Sequence, residues 1–145
     1  MFLGKYFCGL DKECRFLAPD GFKKYLSDGM YITQGFDHNL WVLSNNAFQA
    51  IYEKLGHLNI TDPLARLLFR LLLGAATQSG LNGQGYLKIP DDLRGYAHIG
   101  NEVLLIGQGD YFEIWSPELW DEQEAELRKT ESNTERFSTF EITTR

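Results

Sequence analysis

The spacing of hydrophobic positions changes along the chain, and each change marks an element. From Phe2 to Leu10 and again from Arg15 to Ala18, apolar residues fall at strand spacing, which predicts a strand and the strand returning from it. Lys12, Glu13 and Cys14 must turn between them. Two further strand pairs are predicted, Met30–Gln34 with 40–43 and Glu102–Gly107 with Tyr111–Trp115. Their connections, residues 35–39 and 108–110, are rich in turn formers. Ser44 and Ser116 stand where helix N-caps belong, the second followed by Pro117 at the favoured first position, so helices over about 45–55 and 117–129 are expected. Between the strand groups, Thr61 or Asp62 caps a helix with Pro63 near its start. Leu64, Leu67, Leu68, Leu71 and Leu72 there recur at i, i+3, i+4, i+7 and i+8 and form one apolar face. Arg66 and Arg70 lie one turn apart on another face, either as phosphate contacts or as partners for carboxylates within or between subunits.

The pattern repeats. The stretch Leu10 to Pro19 lies over Leu81 to Pro90 at an offset of 71 residues, and the step holds through Tyr25 and Tyr96. After one inserted residue the offset is 72, which sets 31–35 over 103–107 and 40–44 over 112–116. Apolar falls on apolar and Pro on Pro, so the protein is an internal duplication. Asp20 and Asp91 can each cap a short helix after the Pro, with Phe22, Tyr25, Leu93 and Tyr96 facing inward. Leu43 and Trp115 are equivalent positions, which argues for a core role in both halves and against base stacking by the tryptophans Trp41, Trp115 and Trp120. The turns differ: Gly85 of the second copy faces Cys14 of the first. A tight turn wants positive φ there, which Gly adopts freely and Cys at about 1–2 kcal/mol, so the first turn is either strained or of another type.

These residues carry a resemblance. Met1 to Tyr6, Leu10-Asp11 with Arg15, the helix from Thr61-Asp62-Pro63 to Arg70 and Gly74, Gly85, Ile89-Pro90 and the run Glu102 to Trp115 are similar to the MraZ family of bacterial transcriptional regulators. That family is built from two copies of an AbrB-like swapped-hairpin element. The similarity covers about residues 1–125. The family signature is Asp-x-x-x-Arg in each half, usually with Gly before the Arg. Here Cys14 replaces that Gly in the first copy, and Asn82 and Tyr86 replace the charged pair in the second.

The resemblance implies an α+β fold of duplicated βαββα halves forming a pseudo-twofold double-split barrel with outer helices. The expected parts are residues 1–58 as first half, 59–75 as connecting helix, 76–128 as second half and 129–145 as a polar tail of one compact domain. It also implies a ring-like homo-oligomer that binds double-stranded DNA at repeated sites, as the regulator of a cell-division and cell-wall gene cluster. The alternative is a ring-forming structural or protein-interaction module with reduced DNA binding.

Charge bears on that choice. The net charge of −6 argues against a polyanion partner, but residues 1–112 carry ten basic against eleven acidic side chains, while residues 113–145 carry four against nine. The first 25 residues are basic by two, five against three. The expected DNA-binding set is Arg15 oriented by Asp11, with Lys5, Lys12, Lys23, Lys24, Lys88 and Arg94, and with Asn82 and Tyr86 as degenerate positions of the second motif. In the tail, Phe137, Phe140 and Ile142 could dock on a neighbouring chain.

Other chemistry finds no support. His38, His57 and His98 are scattered in loops or helix ends and none recurs in the other copy, so no acid–base or nucleophilic arrangement can be built. Cys8 and Cys14 lack zinc-finger spacing and suit two reduced thiols. Gly107-x-Gly109 precedes a strand rather than a helix and so offers no phosphate site. No catalytic residue, cofactor, metal or small-molecule substrate is expected. No stretch approaches the ~20 apolar residues of a membrane span. The expectation is a cytoplasmic, nucleoid-associated protein.

Overall fold

The computed structural model describes residues 1–142, apart from the side chains of residues 130–132. The first half supplies β1 (Lys5–Gly9), β2 (Arg15–Leu17), α1 (Asp20–Lys23), β3 (Met30–Gln34), β4 (Leu40–Ser44) and α2 (Asn45–Leu55). After α3 (Pro63–Leu72) the second half repeats the order with β5 (Thr77–Ser79), β6 (Tyr86–Lys88), α4 (Asp91–Tyr96), β7 (Glu102–Gly107), β8 (Tyr111–Trp115) and α5 (Pro117–Leu127). Each half is therefore ββαββα, one strand more than the βαββα pattern. The opening hairpin is the reason: its two arms enter different sheets.

β1 does not pair with β2. It runs antiparallel to β7 of the other half, and β5 likewise runs antiparallel to β3. The main sheet has the order β1-β7-β8-β4-β3-β5, and β2 pairs only with β6 in a separate two-stranded ribbon. β1 and β5 remain as edges, so the strand pairing shows no closed barrel among the described residues. Two pairings expose the duplication. In the ribbon Phe16 faces Leu87, its own repeat equivalent, with Arg15 opposite Lys88 and Leu17 opposite Tyr86. In β4–β8, Trp41 faces Glu113 in the same way. Both registers are those of a pseudo-twofold axis.

The core follows from the pleat. Val103 and Leu105 of β7 point into the main cluster with Phe16, Phe22, Leu87 and Phe112, whereas Leu104 and Ile106 point to the other face, under Trp115 and Trp120. β7 is apolar from Val103 to Ile106 because both faces are covered there. Leu43 and Trp115 are both buried, as their equivalence requires, while Trp41 is only half-buried. Ser44 accepts from the N–H of Ala47 and Ser116 from that of Leu119, each at 3.2 Å, and Asp62 rather than Thr61 caps α3. Asp20 and Asp91 do not cap. Pro19 and Pro90 occupy the cap positions without a side-chain bond, so the carboxylates stand in the first turn, where the helix dipole favours them. Phe22 and Leu93 face inward and Tyr96 is half-buried, but Tyr25 lies at the surface against Phe2.

The N-terminal strap explains Gly107-x-Gly109. Phe2 and Gly109 exchange backbone hydrogen bonds at 2.7 and 2.8 Å, and the Gly107 N–H donates to Gly4 at 2.8 Å. A Cβ on Gly107 would stand 2.5 Å from the backbone of Leu3. Gly107→Ala must therefore lift the strap and with it Phe2, whose ring packs 5.0 Å from Phe22 and 5.2 Å from Phe112. Overpacking of this kind costs about 1–3 kcal/mol. Urea unfolding should show a loss of that size, and an unchanged midpoint would mean that the strap is not held against β7.

Beyond α5, the stretch expected as a tail is ordered as α6 (Thr130–Phe137) and a 3₁₀ turn over Ser138–Phe140. Asn133 is the anchor: buried, it donates to the carbonyl of Glu126 at 2.6 Å. The end of the expected tail, residues 143–145, lies outside the described residues.

Candidate nucleic-acid interface

The turn between β1 and β2 is built by Asp11. Its Oδ1 accepts from the N–H groups of Glu13 at 2.9 Å and Arg15 at 3.0 Å, while its Oδ2 accepts from Arg15 Nε at 2.8 Å. One carboxylate thus closes the turn with one oxygen and clamps the guanidinium with the other. The second turn is the same structure without the clamp. Asn82 Oδ1 accepts from the N–H of Gln84 at 3.0 Å and of Tyr86 at 2.9 Å. Asn82 preserves the turn because an amide oxygen serves as well as a carboxylate there, but its nitrogen cannot accept from a cation. Cys14 has φ +61° and Gly85 φ +86°, so the two turns share a conformation and Cys14 carries the strain. Cys8 and Cys14 are free thiols, and burial raises both above their ordinary range.

The ribbon buries Phe16 and Leu87 and turns Arg15, Leu17, Tyr86 and Lys88 outward. The guanidinium of Arg15 lies over the Tyr86 ring at 5.7 Å, and its Nη1 is 3.3 Å from Glu13. Arg94 comes from α4 of the other half and lines a polar cleft of about 160 Å³ with Asp11, Lys12 and Cys14. Lys23 from α1 does the equivalent at the second turn, where a Cβ on Gly85 would meet its side chain at 2.9 Å. Lys23 and Arg94 stand 71 residues apart, so this cross-packing was present in the repeat offset as a signal.

Asp11, Lys12, Arg15, Lys88 and Arg94 therefore meet at or beside the first turn, and Tyr86, whose N–H closes the second, reaches Arg15 with its ring. Asn82 and Lys23 stand at the second, with Lys23 also 3.3 Å from Asp20. The other two lie elsewhere. Lys5 sits on β1 over the Trp120 ring at 5.0 Å, and Lys24 stands against Tyr25. His38 and His98, scattered in sequence, come to 5.9 Å between ring centroids, with His38 stacked on Tyr96. Among the described residues no three His, Cys, Asp or Glu side chains are placed to hold a metal ion.

Desolvation draws the Asp11 carboxyl upward, but the backbone and side-chain N–H donors of Arg15 and the N–H of Glu13 outweigh it and hold the group below its ordinary value. A depressed carboxyl stabilises the fold above its ordinary titration range, and that contribution is lost as pH falls through the depressed value. The clamp is thus intact across neutral and mildly acidic pH. At constant ionic strength this pair should add no step to DNA affinity between about pH 5 and 8. A step that vanishes in Asp11→Asn would show that the carboxyl titrates there after all. Asp11→Asn itself should leave the melting temperature nearly unchanged, since Asn82 already holds the same turn.

The fold and this surface define a duplicated α+β protein with interleaved halves and a cation-bearing ribbon at their junction. A family model described as "MraZ protein, putative antitoxin-like" matches it twice, over residues 1–71 and 72–141. The chain belongs to the MraZ family. It is 38% identical over 120 residues to a transcriptional regulator MraZ of Herpetosiphon aurantiacus, covering 83% of this chain and 84% of the relative. It is 33% identical over 143 residues to that of Natranaerobius thermophilus, covering 98% and 100%. A third relative, from Finegoldia magna, is 36% identical over 84% of this chain and 85% of its own. All three carry the name of a regulator, and the family is not one of enzymes.

Proposed function

We propose that this protein is a sequence-specific DNA-binding transcriptional regulator that contacts its operator through the β2–β6 ribbon. The observation that carries the reading is the clamped Arg15: its Nε is fixed by Asp11 at 2.8 Å, on a strand that sets Lys88 directly opposite. A guanidinium held in place loses less freedom on binding than a free one and can meet a phosphate or the O6/N7 edge of guanine. A two-stranded ribbon fits the major groove of B-DNA. The interleaved pairing of β1 with β7 and β3 with β5 supports the double-split arrangement that the family resemblance implies. By the same resemblance, the targets are repeated sites upstream of a cell-division and cell-wall gene cluster, bound by a ring-like homo-oligomer in the cytoplasm at the nucleoid. No helix among the described residues is long and apolar enough to cross a membrane.

Repeated sites and repeated protomers multiply weak contacts, raising overall affinity by roughly 10²–10⁴. Light scattering should give a mass several times 16.7 kDa, and a monomer at micromolar concentration would remove the multivalent part of this reading. A footprint on the protein's own upstream region, repeated over a salt series, tests the rest. Phosphate contacts make log affinity fall linearly with log salt. No protected site at any salt would favour the second reading, a structural or interaction module, to which the lost charge at Asn82 and Tyr86 lends its support.

A further inference from the structure

The outward face of the β2–β6 ribbon is split between two chemistries. The N–H of Ile89 donates to the Cys14 carbonyl and that of Ala18 to the Gly85 carbonyl, each at 3.0 Å. Arg15–Lys88 and Leu17–Tyr86 are therefore the non-hydrogen-bonded pairs of the ribbon, the kind whose side chains stand closer together. The Arg15–Lys88 end carries two cations. At the other end Tyr86 stands where the first copy has Arg15, and Leu17 where the second has Lys88, so both charges are missing together. Leu17 is 47% exposed, and its Cδ1 lies 3.6 Å from where a Cβ on Gly85 would stand, a spot that Lys23 flanks. A large aliphatic side chain is thus presented on the same face as Arg15, with cations to either side.

We propose that Leu17, with the Tyr86 ring as its neighbour on the ribbon, reads the C5-methyl group of a thymine in the major groove. This rests on the ribbon reading given above, and it assigns the uncharged end a base contact in place of a lost phosphate contact. The major-groove edges of guanine, adenine and cytosine present hydrogen-bond donors and acceptors, and thymine alone adds a methyl group. An aliphatic side chain laid over donors and acceptors strips them of water and returns no hydrogen bond. Over the thymine methyl it buries apolar surface on both sides. A phosphate gains nothing from Leu17. Residues two apart on one face of a strand are about 6.6 Å apart, so the thymine lies within about two base pairs of the group that Arg15 meets.

The test uses a duplex from the protein's own upstream region in which thymines are replaced one at a time by deoxyuridine, which removes the methyl and keeps the base pairing. Full-length wild type and Leu17→Ala, the latter checked by thermal melting, are compared by fluorescence anisotropy. For wild type, replacing one particular thymine in a repeated site should weaken binding about fourfold, the contribution of one buried methyl. For Leu17→Ala the same replacement should change nothing, because the two losses are one contact. If wild type binds the duplex in an Arg15-dependent way and no replacement weakens it, the methyl contact is wrong while the ribbon reading stands. If Leu17→Ala keeps the fourfold response, another residue reads the methyl and the assignment is overturned. A Leu17→Ala chain that loses assembled mass in light scattering would place Leu17 between protomers, with the same consequence. Wild type that binds none of these duplexes would overturn the ribbon reading and this contact together.

Discussion

Arg15→Ala is expected to abolish the proposed specific DNA binding and to leave the fold and the proposed assembly unchanged, the largest single effect expected of any exposed residue here. The side chain is one-third exposed, with 34% of its surface in contact with solvent, and its ion pair with Asp11 is an i,i+4 contact at the edge of a turn. Pairs of that kind hold little stability. Asp11 Oδ1 keeps the turn closed through backbone N–H groups, which the substitution does not touch. Binding is different. A charge-assisted hydrogen bond contributes about 1.5–3 kcal/mol, or roughly 10- to 150-fold per site. In an assembly engaging several repeats the loss recurs in each protomer. Fluorescence anisotropy on an operator fragment, together with light scattering and thermal melting of the same sample, separates the two roles. A variant that binds normally would show that the clamp only holds the turn. Weakening without loss of sequence preference would place Arg15 on a phosphate rather than a base edge.

Some of this surface was legible in the residues, and some was hidden by the third dimension. The helix caps Ser44 and Ser116 and the strands β3, β4, β7 and β8 follow from local periodicity, and their bounds agree closely with the structure. Asp11 and Arg15 meet as a four-residue spacing around a turn allows. The partner strands were not legible. β1 and β2 adjoin in sequence, and proximity favours a simple hairpin, yet each finds its partner in the other half. That choice is made by burial: Phe16 and Leu87 reach the shared core only when the ribbon forms across the pseudo-dyad. Cys14 was ambiguous for a related reason. A side chain at positive φ is costly locally, and only its burial beneath the ribbon shows why one is tolerated there. The i, i+3, i+4 pattern of α3 was legible only in part. It identifies an apolar face without saying whose surface it covers, and Leu64 and Leu67 point away from their own core.

Restoring the second motif is the converse experiment. Asn82→Asp with Tyr86→Arg should produce a second clamp, because the turn there already has the required backbone. Asn82 Oδ1 accepts the same two N–H bonds as Asp11 Oδ1, and Gly85 supplies the positive φ without strain. The new Asp would have an oxygen left over for the new Arg, as Asp11 has. Lys23 already stands beside that turn, as Arg94 stands beside the first. The ring of Tyr86 beneath Arg15 is lost in the exchange. That contact at an exposed site contributes only about 0.5–1 kcal/mol. One added phosphate contact steepens the dependence of log affinity on log salt by about 0.9 per engaged protomer. The double variant should therefore bind more tightly at low salt and lose that advantage faster as salt rises. Both changes are needed: Tyr86→Arg alone adds a cation that nothing orients, and Asn82→Asp alone adds an anion facing the duplex, which should weaken binding. If the double variant and wild type share one salt slope while Arg15→Ala is inactive, only the first turn meets DNA. The ribbon would then lie tilted on the duplex, with its Arg15–Lys88 end against the phosphates and its Leu17–Tyr86 end away from them.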